Sequence, residues 1–196
     1  MLTHSGDAAG AHEYQAFADV TDQVQKGGPG AWTFADPSNG VGSGTGAYAG
    51  WALVVVYADS SEGAGTVVVH DGAVTVNVGS SASLSVTTTP RQTARIGVVA
   101  WEGDLGLSGD TLTLDGAALV PVRENGSGKA QGDATNAFDS TAVGSDYPNS
   151  LGVDAKGFLE TRIAAPGDGA VPGLSALRVD SPHDGFVLGV VTVLTR

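Results

Sequence analysis

Apolar, β-branched runs recur along this chain between clusters of Gly, Asp, Ser and Pro, and that punctuation constrains its fold more than any other feature. Such runs suit the half-buried pleat of a strand, and the clusters supply the turns. Thirty glycines among 196 residues, with only 15% charged residues, fit the same picture. The unbroken run Gly50 to Tyr57, GWALVVVY, predicts a central strand buried on both faces. Gly65 to His70 follows, and Asp71-Gly72 is the strongest hairpin signal, since a tight turn needs positive φ. Further strands are predicted at Ala73 to Val78, Ser83 to Thr88, Thr93 to Trp101, Thr111 to Leu114 and Ala117 to Val122. The last three are predicted at Phe158 to Ala164, Leu174 to Asp180 and Phe186 to Leu194.

Helix is scarce. Asp19 can cap a short helix near 19–26, ended by Gly27-Gly28-Pro29, and a second turn is read in Asn149 to Lys156. The expectation is an all-β chain: a single antiparallel β-sandwich of jelly-roll type with about ten strands, over residues 14–196. Residues 1–13 read as a flexible start, and Pro37 to Ala47 and Arg123 to Asp133 as long exposed loops. No internal repeat or proline-rich linker divides the chain.

Charge excludes several function classes. Nine Lys and Arg against 21 Asp and Glu give a net charge of -12. That balance cannot neutralise a row of phosphates, so no nucleic-acid partner is expected, and it disfavours anionic membrane surfaces. No run approaches the ~20 apolar residues of a membrane span, so no direct membrane insertion is expected. The start, MLTHSGDAAG, has neither the cationic opening nor the apolar run of a signal peptide. The absence of Cys removes disulfides, thiol catalysis and thiolate metal sites.

Chemical motifs are few. His4, His12, His70 and His183 are scattered, and none belongs to a zinc-binding helix motif. His70 and His183 read as residues of turns. Asn125-Gly126-Ser127-Gly128-Lys129 lacks the first glycine and the magnesium-holding hydroxyl of a phosphate-binding loop, because Arg123 and Ala130 stand there. No Gly-x-Ser-x-Gly nucleophile elbow occurs. One site class stands out: Glu102, Asp104 and Asp110 lie in a Gly-rich loop between two strands, where carboxylates and carbonyls suit calcium's irregular oxygen shell. Paired carboxylates for glycoside hydrolysis can be drawn from the same set. Among the aromatics, Trp51 and Trp101 sit inside apolar strands and read as core, whereas Trp32 is the candidate for a sugar platform.

Several strings together carry a resemblance. Tyr14 to Thr21 (YQAFADVT), Tyr48 to Tyr57 (YAGWALVVVY), Val69 to Gly72 (VHDG) and Arg95 to Asp104 (RIGVVAWEGD) are its first half. Leu107 to Leu112 (LSGDTL), Asn136 to Ser140 (NAFDS) and Asn149 to Asp154 (NSLGVD) continue it. The chain resembles, over most of Tyr14 to Thr192, an uncharacterised β-sandwich domain of large bacterial secreted and surface-anchored proteins, often followed by immunoglobulin-like repeat modules. The resemblance implies an exported β-sandwich with no established enzymatic activity, and the leading expectation is a non-enzymatic extracellular or cell-surface module with a structural or adhesion role toward a protein or glycan there. It carries no catalytic residues. Such domains have an earlier strand or two before the segment matching Tyr14, and only thirteen residues precede Tyr14 here. A sheet edge short of one strand is therefore expected, and with it self-association by strand addition, as in a filament subunit or virion decoration. A carbohydrate-binding domain is the third expectation.

Overall fold

A computed structural model describes residues 2–8, 11–35, 49–90, 92–125, 128–143, 149–163 and 173–196. Its described elements begin with a hairpin of β1 (Leu2–Ala8) and β2 (Ala11–Phe17) and the helix α1 (Thr21–Gly27). Then come β3 (Thr66–Val76), β4 (Ser80–Thr87), β5 (Thr93–Trp101), β6 (Thr111–Leu114), β7 (Ala117–Ala118), β8 (Val122–Asn125) and β9 (Gly128–Gln131). The chain closes with β10 (Val153–Gly157), β11 (Thr161–Arg162), β12 (Leu174–Ser181) and β13 (Phe186–Thr195). One sheet has the order β10-β5-β13-β3, with β11 also on β5, and the other the order β4-β12-β6-β7. All these strand pairs are antiparallel. The fold is an all-β sandwich.

Period-2 alternation decides which side chains meet between the sheets. In β5, Ala94, Ile96, Val98 and Ala100 are buried and point inward; in β12, Ser175, Leu177, Val179 and Ser181 do. Val86 of β4, Leu112 of β6 and Val191 and Val193 of β13 complete the layer. Phe138 and Phe186 stack with centroids 4.3 Å apart. Both rings are at most 2% exposed, so they belong to the core although Phe138 lies on a loop.

The run Gly50 to Tyr57 is not the central strand its composition predicts. Among the described residues it pairs with nothing in a sheet, and Trp51 and Leu53 to Tyr57 are exposed, Tyr57 at 76%. The centre belongs to β13, an equally apolar run, whose two edges are taken by β3 and β5. A strand needs an edge to accept its backbone groups, and hydrophobicity alone does not provide one. Trp51 therefore is not core; it lies beside Phe34, with centroids 6.2 Å apart.

Asp71-Gly72 also differs from expectation. Neither residue has positive φ, and both run inside β3, which absorbs the two strands predicted at 65–70 and 73–78. At this point the pairing with β13 shifts register, Leu188 facing Val74 and Val190 facing Asp71. Glycine in a strand commonly marks such a bulge. The second Asp-Gly is a true turn: Asp115 (φ 50°) and Gly116 (φ 81°) join β6 to β7.

Elsewhere, β4, β5, β6, β12 and β13 fall close to their predicted places, and the ends of α1 lie within two residues of 19–26. Asp19 is not the cap expected of it: it accepts the Thr21 amide at 2.9 Å from one residue further out, while the N-cap position is Val20, which has no side-chain cap. Residues 2–8 and 11–17 form a hairpin where a flexible start is expected. The expected loop Arg123 to Asp133 contains the hairpin β8-β9. The turn read in Asn149 to Lys156 is instead a positive-φ corner at Leu151-Gly152 leading into β10, and the strand predicted at 158–164 shrinks to β11 beside an isolated bridge at Phe158. Pro37 to Ala47 lies outside the described residues.

Candidate functional site

Strand β10 carries two polar side chains into the sandwich. In register with β5, Asp154 faces Ala100 and Lys156 faces Val98, both on the inward face of that strand. Asp154 is 0% exposed and Lys156 5%. A buried cation is stable only against anions, and the loop before β10 supplies one. Lys156 Nζ stands 2.5 Å from Asp139 Oδ1 and 2.7 Å from Asp154 Oδ1. The Thr141 hydroxyl donates to Asp139 Oδ1 at 2.5 Å, and the Thr141 amide donates to Asp154 Oδ1 at 3.2 Å. Burial raises the Asp154 pKa, against the lowering effect of Lys156.

The loop is held to this geometry by its backbone. Ala142 bridges Ala155 in parallel, with Val143 N donating to Ala155 O and Ala155 N to Thr141 O. Ser140, buried, sits at φ 56°, a left-handed conformation disfavoured for a residue with a Cβ. Its hydroxyl accepts the Gly152 amide at 2.7 Å, which fixes the corner into β10. Gly103 closes the cluster from the other side. A Cβ there would overlap Asp154 Oδ2 and the Phe138 carbonyl oxygen, so only glycine lets the backbone approach. Asp154 Oδ2 has no hydrogen-bond partner.

A second polar group lies between the start of β6 and the end of β12. Asp110 (1% exposed) accepts the Ser181 hydroxyl at 2.5 Å. The same hydroxyl lies 2.8 Å from the Asp184 carbonyl oxygen. Asp184, also buried, accepts the Gly185 amide at 2.7 Å on Oδ1. The second carboxylate oxygens of Asp110 and Asp184 are both buried without partners. Burial raises both pKa values, Asp184 to about 7, and the charges of Asp110, Asp104 and Glu102 push Asp184 the same way.

The calcium candidates Glu102, Asp104 and Asp110 therefore share one electrostatic neighbourhood but do not form a coordination shell. Among the described residues no three His, Asp or Glu side chains converge closely enough to hold a metal ion. Asp110 turns inward to Ser181, Asp104 is exposed, and Glu102 sits at φ 73° with its amide donating to Gly152 O. The loop's glycine covers Asp154 instead.

The remaining sequence candidates are dispersed. His70 points into the sandwich opposite Val191, its Nε2 buried without a partner, and His183 is exposed. The Trp32 ring packs over Gly27 at the end of α1. Trp101 is half-buried and donates from Nε1 to Gln15 Oε1 at 2.7 Å, while Gln15 Nε2 donates to Gly72 O at 2.7 Å. Among the described residues no helix is long and apolar enough to cross a membrane. Sequence reasoning passed over Asp139, Asp154, Lys156 and Asp184. The first two lie in the strings NAFDS and NSLGVD, and the alternation Val153-Asp154-Ala155-Lys156 was the available signal. No protein-family model matches this chain, and no curated protein matches it.

Proposed function

We propose that this chain is a non-enzymatic structural or adhesion module of a bacterial surface protein, with the protein or glycan it meets outside the cell as its partner. One observation carries the reading. The strongly interacting polar groups, Lys156 with Asp139 and Asp154, are enclosed between the sheets and fasten a loop to β10. Polar groups so placed serve the scaffold rather than an external substrate. The strand orders support a jelly-roll reading: successive strands β3 to β6 alternate between the two sheets, and β12 and β13 return between the first strands. The resemblance to secreted bacterial domains is what favours a location outside the cell. The fold itself does not choose among functions. The test is retention of chain-coated beads on immobilised glycans and matrix proteins, run beside hydrolase substrate panels. Retention without turnover supports the reading; turnover of any substrate overturns it.

A second reading, self-assembly by strand addition, is favoured by the exposed run Trp51 to Tyr57. Strands β3 and β4 each pair on one side only among the described residues, and an apolar segment from another copy fits such an edge. Concentration-dependent association that Val55→Lys abolishes supports this reading. A monomer in sedimentation at high concentration removes it.

A further inference from the structure

We propose that Lys156 and Asp139 condense to an intramolecular amide, with Asp154 as the catalytic residue that carries the proton between them. The site has the parts such a reaction needs. Nζ lies 2.5 Å from a carboxylate oxygen bonded to the carbon it would attack. A second carboxylate touches the same nitrogen at 2.7 Å. Water is excluded, the side chains of Lys156, Asp139 and Asp154 being 2%, 7% and 0% exposed.

The step balances without a co-reactant. An ammonium and a carboxylate become an amide and one water. Of the three Nζ hydrogens, one remains as the amide N–H and two leave with an Asp139 oxygen as water. Asp154 Oδ1 takes a proton from Nζ as the C–N bond forms and returns it to the departing oxygen, ending in its starting state. Burial raises the Asp154 pKa, which suits a carboxyl that must hold a proton during the step. In bulk water this condensation runs backward. Here, two effects reverse the balance. Holding the groups in contact replaces a bimolecular encounter with an effective concentration that can reach ~10⁵ M or more. The product also removes the Lys156 and Asp139 charges from a dry interior, and Asp154, left without its cation, then takes up a proton from solvent, as the upward effect of its burial favours.

Positioning is built in rather than accidental. Asp139 follows Phe138, which is pinned by stacking on Phe186. Ser140 holds a left-handed conformation that turns the loop, and the Ala142 bridge ties it to β10. Gly103 seals the far side against Asp154. The bond would join a loop to an outer strand of the five-stranded sheet, closing a loop between positions 17 apart in the chain.

Intact-mass spectrometry of the purified full chain, incubated near neutral pH, tests this directly. The expected mass is one water below the sequence mass, with fragmentation placing the link between Lys156 and Asp139. Asp-Gly sites such as Asp71-Gly72 also lose water by cyclising, so variants assign the loss. Lys156→Arg and Asp154→Asn are expected at their full sequence masses. Asp139→Asn is expected to lose ammonia in place of water. A folded wild-type chain at its full sequence mass overturns the proposal, and so does a water loss that persists in Lys156→Arg. Should a variant fail to fold, the wild-type mass and its linked fragment decide alone.

Discussion

Two buried ionic groups in one sandwich have opposite electrostatics. At β10, a single cation sits between two carboxylates, and hydroxyl and amide donors satisfy further lone pairs. Between β6 and β12, the Ser181 hydroxyl meets the Asp110 carboxylate and the Asp184 main-chain carbonyl, the Asp184 carboxylate takes only the Gly185 amide, and among the described residues no cation pairs with either acid. Burial is similar in the two places; what differs is compensation. The chain carries only nine Lys and Arg and commits one of them to the interior. The first group tightens the fold while the Lys156–Asp139 pair, or the amide made from it, persists, although burial opposes ionisation of Asp154 there too. The second leaves an anion in a poorly solvated place and stabilises the fold only when it is protonated.

Removing the cation is expected to have the largest effect. Lys156→Met keeps the approximate volume but leaves Asp139 and Asp154 facing each other unneutralised. Breaking a buried pair by deleting one partner costs about 3–5 kcal/mol. Urea denaturation should show that loss as a lower midpoint. A midpoint within error of wild type would mean that the cluster contributes nothing to stability.

The acidic pair predicts a pH dependence of definite sign. Asp184 titrates near 7 in the folded chain against 3.8 as its ordinary value. The folded state therefore binds the proton more tightly, and stability falls as pH rises through the window from about 4 to 7. Asp110 and Asp154, also raised, act in the same direction. Asp19 and Asp59 are lowered and act oppositely, but both are fully exposed and solvent screens them. Asp184→Asn should stabilise the chain by about 2 kcal/mol at pH 8, have little effect below about pH 4, and flatten the decline in Tm between them. A decline as steep in the variant as in wild type would assign the dependence to other groups.

These groups also mark where the sequence was legible. β5 and β12 could be read because each pairs apolar alternation with clear turn residues, and local pattern suffices for that. Gly50 to Tyr57 and β13 are equally apolar, and their ranking depends on which finds two free edges, a property of the assembled sheets. Asp71-Gly72 has the composition of a turn but became a bulge because β13 continues past it. The polar sites were hidden for a related reason. Asp110 and Asp184 stand 74 positions apart, and only the return of β12 beside β6 brings them to one serine. Glu102 and Asp104, close to Asp110 in sequence, stay outside the interior, so proximity along the chain gave the wrong partner. Asp154 and Lys156 alternate with apolar neighbours, a pattern that identifies a strand but not which of its faces is buried.

The smallest expected effect isolates the serine that separates the two acids. Ser181 donates one hydroxyl proton, and Asp110 Oδ1 at 2.5 Å is its charge-bearing acceptor, while the Asp184 carbonyl lies on its other side. Ser181→Ala removes this donor without opening space for a new cation. Losing a hydrogen bond to a buried group costs about 1–2 kcal/mol, toward the upper end when the acceptor is ionised. The cost should therefore rise with pH as Asp110 ionises, and be smaller at low pH, where its protonated form needs the serine less. The hydroxyl lowers the Asp110 pKa, so its loss should also move that carboxyl's titration upward, as NMR of the side-chain carbonyl carbon can follow. An equal cost at low and high pH would show that Ser181 acts through the Asp184 carbonyl and packing alone, and that the two acids are not linked through its hydroxyl.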